Sequence, residues 1–171
     1  GKPALSPFKE ADELIGGIRK IVGKLHPEFD KQIGRMQELG LLDLVSRKGK
    51  APGGYQASLN ERREQFIFGN TVGSNSDVYL LLHEGGHAFH SSLCRDEPLV
   101  MYRHAPIEFC EVASQAMELL GSRYLNEFYS EDDAKRAWRE KLEETIFYLI
   151  WVANIDAFQH WIYEHPVQDR N

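Results

Sequence analysis

The run VYLLLHEGGHAFHSS, Val78 to Ser92, constrains this chain more than any other stretch. His83, Glu84 and His87 stand there in the spacing H-E-x-x-H. On a helix, positions i and i+4 share a face, so both imidazoles can reach one metal ion. Glu84 then lies beside that ion, placed to take a proton from water. The plain alternative is a helix with two polar histidines. Leu80, Leu81 and Leu82 precede the motif and anchor the helix in a core. Gly85 and Gly86 sit mid-helix, where each costs about 1 kcal/mol relative to alanine. That cost implies either a substrate or backbone approaching closely, or a neighbouring helix packed tightly against them.

The 171 residues suffice for one domain with a real core. A net charge of −6 argues against nucleic acid as a partner. Two cysteines, Cys94 and Cys110, make no disulfide framework, and no secretory signal pattern is visible, so the chain reads as cytoplasmic. The most apolar run, Thr145 to Tyr163, contains Asn154, Asp156, Gln159 and His160, which indicates a buried helix rather than a membrane span. The first residue is glycine, not methionine, which suggests a catalytic core taken from something longer.

Taken in order, residues 1–45 read as a helical lead-in. Gly1 to Ser6 is an irregular leader, and Ser6-Pro7 suits a helix start. Leu14, Ile15, Ile18, Ile21, Val22 and Leu25 recur at helical spacing. Pro27 opens a second helix, and Gly40 is a plausible stop. Residues 46–74 read as a loop and a hairpin. RKGKAPGG, Arg47 to Gly54, is a basic turn of the solvated kind. Tyr55 to Leu59 and Gln65 to Phe68 read as two short strands around Asn60 to Arg63. A strand beside a metal helix could offer its edge to an extended peptide, or could simply cover the core. Asn75 or Ser76 is the expected N-cap of the metal helix.

Residues 75–121 then hold the metal-site helices, and residues 130–165 a long C-terminal helix opened by the SEDD capping signal. In the helix after Pro106, Glu108, Glu111, Gln115 and Glu118 share a face. A charged stripe usually meets water. Zinc sites, however, want three protein ligands plus water, and this face holds the best candidates for the third. Asp156 and His160 form another i, i+4 pair, which reads as a polar contact inside a packed helix more readily than as a metal pair. The metzincin pattern needs a histidine six residues after His87, where this chain has Leu93. The deformylase pattern needs a cysteine upstream of the motif, and both cysteines lie downstream.

HEGGHAFH, followed 24 residues after His87 by Glu111 in EVASQAMELL, resembles the oligoendopeptidase F / thimet oligopeptidase family of zinc metallopeptidases. GKAPGGY and IDAFQHWIYEHP resemble the oligoendopeptidase F branch, and the likeness runs from about Lys48 to Pro166. The resemblance implies a mostly α, zincin-like helical catalytic core with a small β-hairpin beside the metal helix. It implies one Zn2+ held by His83, His87 and Glu111, Glu84 as general base, and oligopeptide substrates. Glu108, Glu118, His90 and His104 are then candidates to orient the ligands. Where Gly85 stands, the family usually carries a bulky residue. Family members are several hundred residues long, with a helical shell and a Tyr-rich substrate-binding segment that would lie beyond Asn171. The implied activity is zinc endopeptidase, and the remainder of a parent enzyme would be a partner. The competing expectations are an inactive helical scaffold lacking that shell, and a zinc hydrolase with a non-peptide substrate.

Overall fold

The computed structural model describes residues 3–166. The chain divides into two compact units, Gly1–Ala134 and Lys135–Asn171. The first unit begins with α1 (Ala11–Leu25) and α2 (Pro27–Glu38). The Ser6-Pro7 start is not used. The helix opens at a capping box in which Glu10 and Glu13 exchange side-chain and backbone bonds, and Phe8 is buried ahead of it. Pro27 does open α2, with the His26 side chain accepting from the Glu28 N–H. Gly40 follows in the left-handed conformation at φ 67° and turns the chain out of the helix.

Leu42–Val45, inside the stretch read as helical lead-in, is instead a strand, β1. It pairs in parallel with β3 (Glu64–Thr71), which also pairs antiparallel with β2 (Tyr55–Leu59). The hairpin is therefore two strands of a three-stranded sheet in the order β1-β3-β2. Along β3 every second residue is buried: Gln65, Ile67, Gly69 and Thr71. This is the period-2 pattern of a strand with one face on a core. The basic turn is not wholly solvated. Lys50 folds back so that its Nζ donates to the Asp43 carboxylate at 3.1 Å and to the carbonyls of Asp43 and Val45 at 3.0 Å. Its side chain is only 1% exposed, and Nζ lies 4.5 Å above the Phe68 ring.

The sheet packs on α3 (Asn75–Leu93), and α3 packs in turn on α4 (Ile107–Gly121). The α3 N-cap is Ser74, one residue ahead of the expected positions. Asp77 explains the choice. Its buried carboxylate accepts the backbone N–H of Val72, Gly73 and Ser74 at 2.8–2.9 Å, closing the turn that leads into the helix. The core holds Leu14, Ile18, Ile21, Ile33, Met36, Ile67, Leu81, Leu82 and Leu125, all essentially inaccessible to water. Phe29 stacks on Phe89 at 4.2 Å and ties α2 to α3.

The long helix α5 (Glu131–Glu164) opens where the SEDD signal placed it, with the Asp133 N–H on Ser130 Oγ. Its second half does not match the expected buried helix. Ile146, Phe147, Leu149, Ile150 and Trp151 are all more than half exposed. Asp156 and His160 are also exposed and stand 3.8 Å apart, so they are no polar contact inside a packed helix. No helix among the described residues is long and apolar enough to cross a membrane. Residues 167–171 of the polar tail, expected to fray, lie outside the described residues.

Candidate metal centre

Positions 83 and 87 lie on the face of α3 turned toward α4. The two imidazole rings meet edge to face with centroids 4.8 Å apart. Glu111, in the second turn of α4, completes the group. Its Oε2 lies 3.4 Å from His83 Nε2, and its Oε1 lies 3.7 Å from His87 Nε2. One ligand atom from each of the three falls within 4.8 Å of the others, and this is the one such cluster of three or more potential ligands among the described residues. Ligands about 2.1 Å from a tetrahedral ion stand about 3.4 Å from one another. The two nitrogens and the carboxylate therefore fit a zinc-sized cation in spacing and in chemical type.

Gly86 explains how α4 comes this close. A Cβ at Gly86 would lie 2.7 Å from Ser114 Cα and 2.8 Å from the Ala113 carbonyl oxygen. The two helix backbones touch at this point, and only glycine permits it. Of the two readings of the glycine pair, tight helix packing accounts for Gly86. At Gly85 a Cβ would meet Phe89 at 3.7 Å and Ile33 at 3.9 Å, both ordinary contacts, so a side chain fits there.

Two of the three side chains are held by a partner of their own. Glu118, one of the four candidates for this role, lies two turns after Glu111, and its Oε1 is 2.7 Å from His83 Nδ1. An ionised Glu118 keeps the proton on Nδ1 and leaves the Nε2 lone pair facing Glu111 and His87. His87 lies beside the backbone of Cys110, which favours its charged form. Ser114 Oγ, fully buried, donates to Glu111, 2.9 Å from Oε2 and 3.0 Å from its carbonyl oxygen. The other candidates divide. His90 and His104 line the same cavity, whereas Glu108 is exposed and outside its lining. Ser114 and Gln56 were not legible in the sequence. The i+3 spacing of Ser114 from Glu111 was the available signal for the first, and none existed for the second.

Glu84 lines the same cavity as His83 and His87, together with Gln56 and Ser58 of β2. It is 6% exposed, and the backbone of Gln56, on β2, lies close enough to favour its charged form. Burial pushes its pKa up, and the nearby Glu111 carboxylate adds to this against the opposing charge of His83. For His83, burial disfavours the charged ring, but the bond to Glu118 and its charge outweigh burial and raise the pKa. For His87 burial, reinforced by His83, lowers it. The group forms one wall of a cavity of about 460 Å³. The opposite wall is β2, the edge strand, and Gly54, Tyr55, Gln56 and Ser58 of this segment face His83, Glu84 and His87 across it.

With this geometry, the comparison with known proteins is decisive at the level of family. The profile of peptidase family M3 matches residues 20–171. The chain belongs to peptidase family M3. It is 28% identical over 145 residues to the plasmid-encoded oligoendopeptidase F of Lactococcus lactis subsp. cremoris, covering 81% of this chain and 22% of that protein. The chromosomal oligoendopeptidase F of the same organism is 27% identical over 141 residues, covering 79% of this chain and 23% of that one. Among solved structures, PZ peptidase A with an inhibitor superposes with a TM-score of 0.85 at 33% identity, over 92% of this chain and 28% of that one. The M3 chain described here thus spans less than a quarter of the length of these curated relatives. The likeness also supports the mostly α architecture that the resemblance implied.

Proposed function

We propose that this M3 chain carries the catalytic centre of a zinc-dependent endopeptidase acting on oligopeptides. His83, His87 and Glu111 would hold the ion, and Glu84 would act as general base. The observation that carries this reading is one juxtaposition. Three ligand atoms lie within 4.8 Å of one another, with a buried carboxylate beside them and an edge strand across the cavity. Bound zinc would supply Lewis acidity, lowering the pKa of water toward 7 and polarising a carbonyl.

The chain's own residues supply the rest. An extended peptide can lie along the free edge of β2, with its backbone amides on that strand. Glu84, a buried carboxylate with a raised pKa, takes a proton from the attacking water. The water oxygen joins the carbonyl carbon, the C–N bond breaks, and Glu84 returns the proton to the leaving amine. The Gln56 backbone favours the charged form of Glu84, while Glu118 and Ser114 hold His83 and Glu111 in place.

The test is Glu84→Gln. The variant should keep one zinc per chain and lose turnover of a quenched oligopeptide by about 10²–10⁴-fold. Near wild-type cleavage by the variant would remove Glu84 from the mechanism. A chain that binds no zinc would return the scaffold reading, and cleavage confined to non-peptide esters or amides would return the other hydrolase reading.

A further inference from the structure

The cavity at the metal centre does not end at Ser58. Ser58 and Ser91 border both that cavity and a small polar recess beyond it, which is also lined by Asn60, Arg63, Arg95 and Arg103. Arg63 and Arg95 in turn border a wider hollow of about 600 Å³. The cavity that holds Glu84 therefore adjoins, at Ser58 and Ser91 beside the C-terminal half of β2, a small recess lined by three arginines. The rest of the chain makes this unusual, since the net charge is −6.

None of the three arginines forms an ion pair among the described residues, although the charge of Arg95 is felt by Glu28. Arg103 spends its donors on neutral backbone oxygens: Glu97 at 2.6 Å, Asn60 at 3.2 Å and Pro98 at 3.2 Å. These bonds hold it half-buried at the recess without neutralising it. Arg63 and Arg95 make no side-chain bond, in contrast to nearby Arg35, which is paired with Glu64. Arg63 also holds φ at 58°, an uncommon conformation for a residue with a side chain, fixed by its N–H on the Leu59 carbonyl at 2.8 Å.

From this arrangement we infer a subsite for a peptide carboxylate at Arg63, Arg95 and Arg103, reached by substrate lying along β2. The inference rests on the peptidase reading above. The chemistry follows from the donors: planar guanidinium groups bind carboxylates through short, charge-assisted bonds. The position follows from the strand. Gln56, which lines the cavity with Glu84, is four residues from Asn60, about 13 Å at ~3.3 Å per residue. A peptide on this edge pairs best in the antiparallel sense, which directs its N-terminal part toward the arginines. The preferred ligand group is then an Asp or Glu side chain about four residues before the cleaved bond. A parallel peptide would bring its C-terminal carboxylate to the same place.

The experiment measures binding of three fluorescent peptides to the Glu84→Gln chain by anisotropy at low salt. One carries Glu at the fourth position before the bond and an amidated C-terminus. The second has Gln there, and the third has Gln with a free C-terminus. The inference predicts about tenfold tighter binding of the Glu peptide than of its Gln counterpart, narrowing as salt screens the arginines. Tighter binding of the third peptide instead assigns the subsite to the C-terminus. Arg63→Glu combined with Arg95→Glu should invert the preference toward a peptide with Lys at that position, which a merely structural role would not produce. Equal affinities for all three peptides, or no inversion, overturn the subsite. Cleavage of the Gln peptide by the unaltered chain reports on the peptidase reading alone, so the two failures are separable.

Discussion

Replacing Gly86 by alanine tests whether the α3–α4 contact sets the metal centre. The new Cβ would stand 2.7 Å from Ser114 Cα and 2.8 Å from the Ala113 carbonyl oxygen. Both are backbone atoms and cannot swing aside, so α4 must shift by on the order of 0.7 Å to reach ordinary contact distance. Overpacking of this kind costs about 1–3 kcal/mol. Alanine's better helix propensity offsets about 1 kcal/mol of it. Gly85→Ala is the internal control, since its Cβ meets nothing closer than 3.7 Å and keeps the propensity gain. The two variants should therefore differ by about 1–3 kcal/mol, or roughly 3–10 °C in melting temperature for a chain of this size. Thermal melts in chelator measure this without the metal. A zinc competition titration then reads the second consequence: moving α4 carries Glu111 away from His83 and His87, so Gly86→Ala should bind zinc more weakly than Gly85→Ala. If Gly86→Ala melts at or above Gly85→Ala, the argument from backbone contact is wrong.

Two further outcomes follow from single contacts. Glu118→Gln removes the charge that fixes the His83 tautomer, and zinc affinity should drop about 10–100-fold by competition titration while the fold is kept. An unchanged affinity would reduce Glu118 to a packing residue. Asp43, bonded to Arg47 and to buried Lys50, has its pKa lowered from 3.8 to about 2. A depressed folded-state pKa contributes stability that is complete above the unfolded value and lost as pH falls through the folded one. Between about pH 5 and about pH 2.5, the unaltered chain should lose about 1 kcal/mol more, after discounting for solvent screening, than Asp43→Asn does in urea unfolding. Equal losses would show that the Asp43 cluster carries no pH-linked stability.

What the sequence revealed follows from the range of each signal. His83 and His87 were legible because a helix fixes i, i+4 neighbours without reference to the rest of the fold. Pro27, Ser130 and the short strand read at Tyr55–Leu59 are equally local, and the structure uses all three. β1 was missed because Leu42–Val45 is four residues long and owes its conformation to pairing with Ile67 and Phe68, far along the chain. Lys50 was read as solvated because its partners Asp43, Val45 and Phe68 meet it only once the sheet exists. The same holds for Gln56 beside Glu84 and for the three arginines past Ser58. In α5 the unbroken apolar run from Ile146 to Val152 goes all round the helix, so no spacing marks a buried face, and apolar composition alone suggested burial that the structure does not have.

The account turns on Glu111 closing a cation site with the two histidines of α3. Anomalous diffraction at the zinc edge, from crystals grown with zinc, tests that directly. The account predicts one strong peak per chain, bonded to His83 Nε2, His87 Nε2 and a Glu111 carboxylate oxygen, with Glu84 next to it but unbonded. A peak that leaves out Glu111, or no peak between α3 and α4, would contradict it.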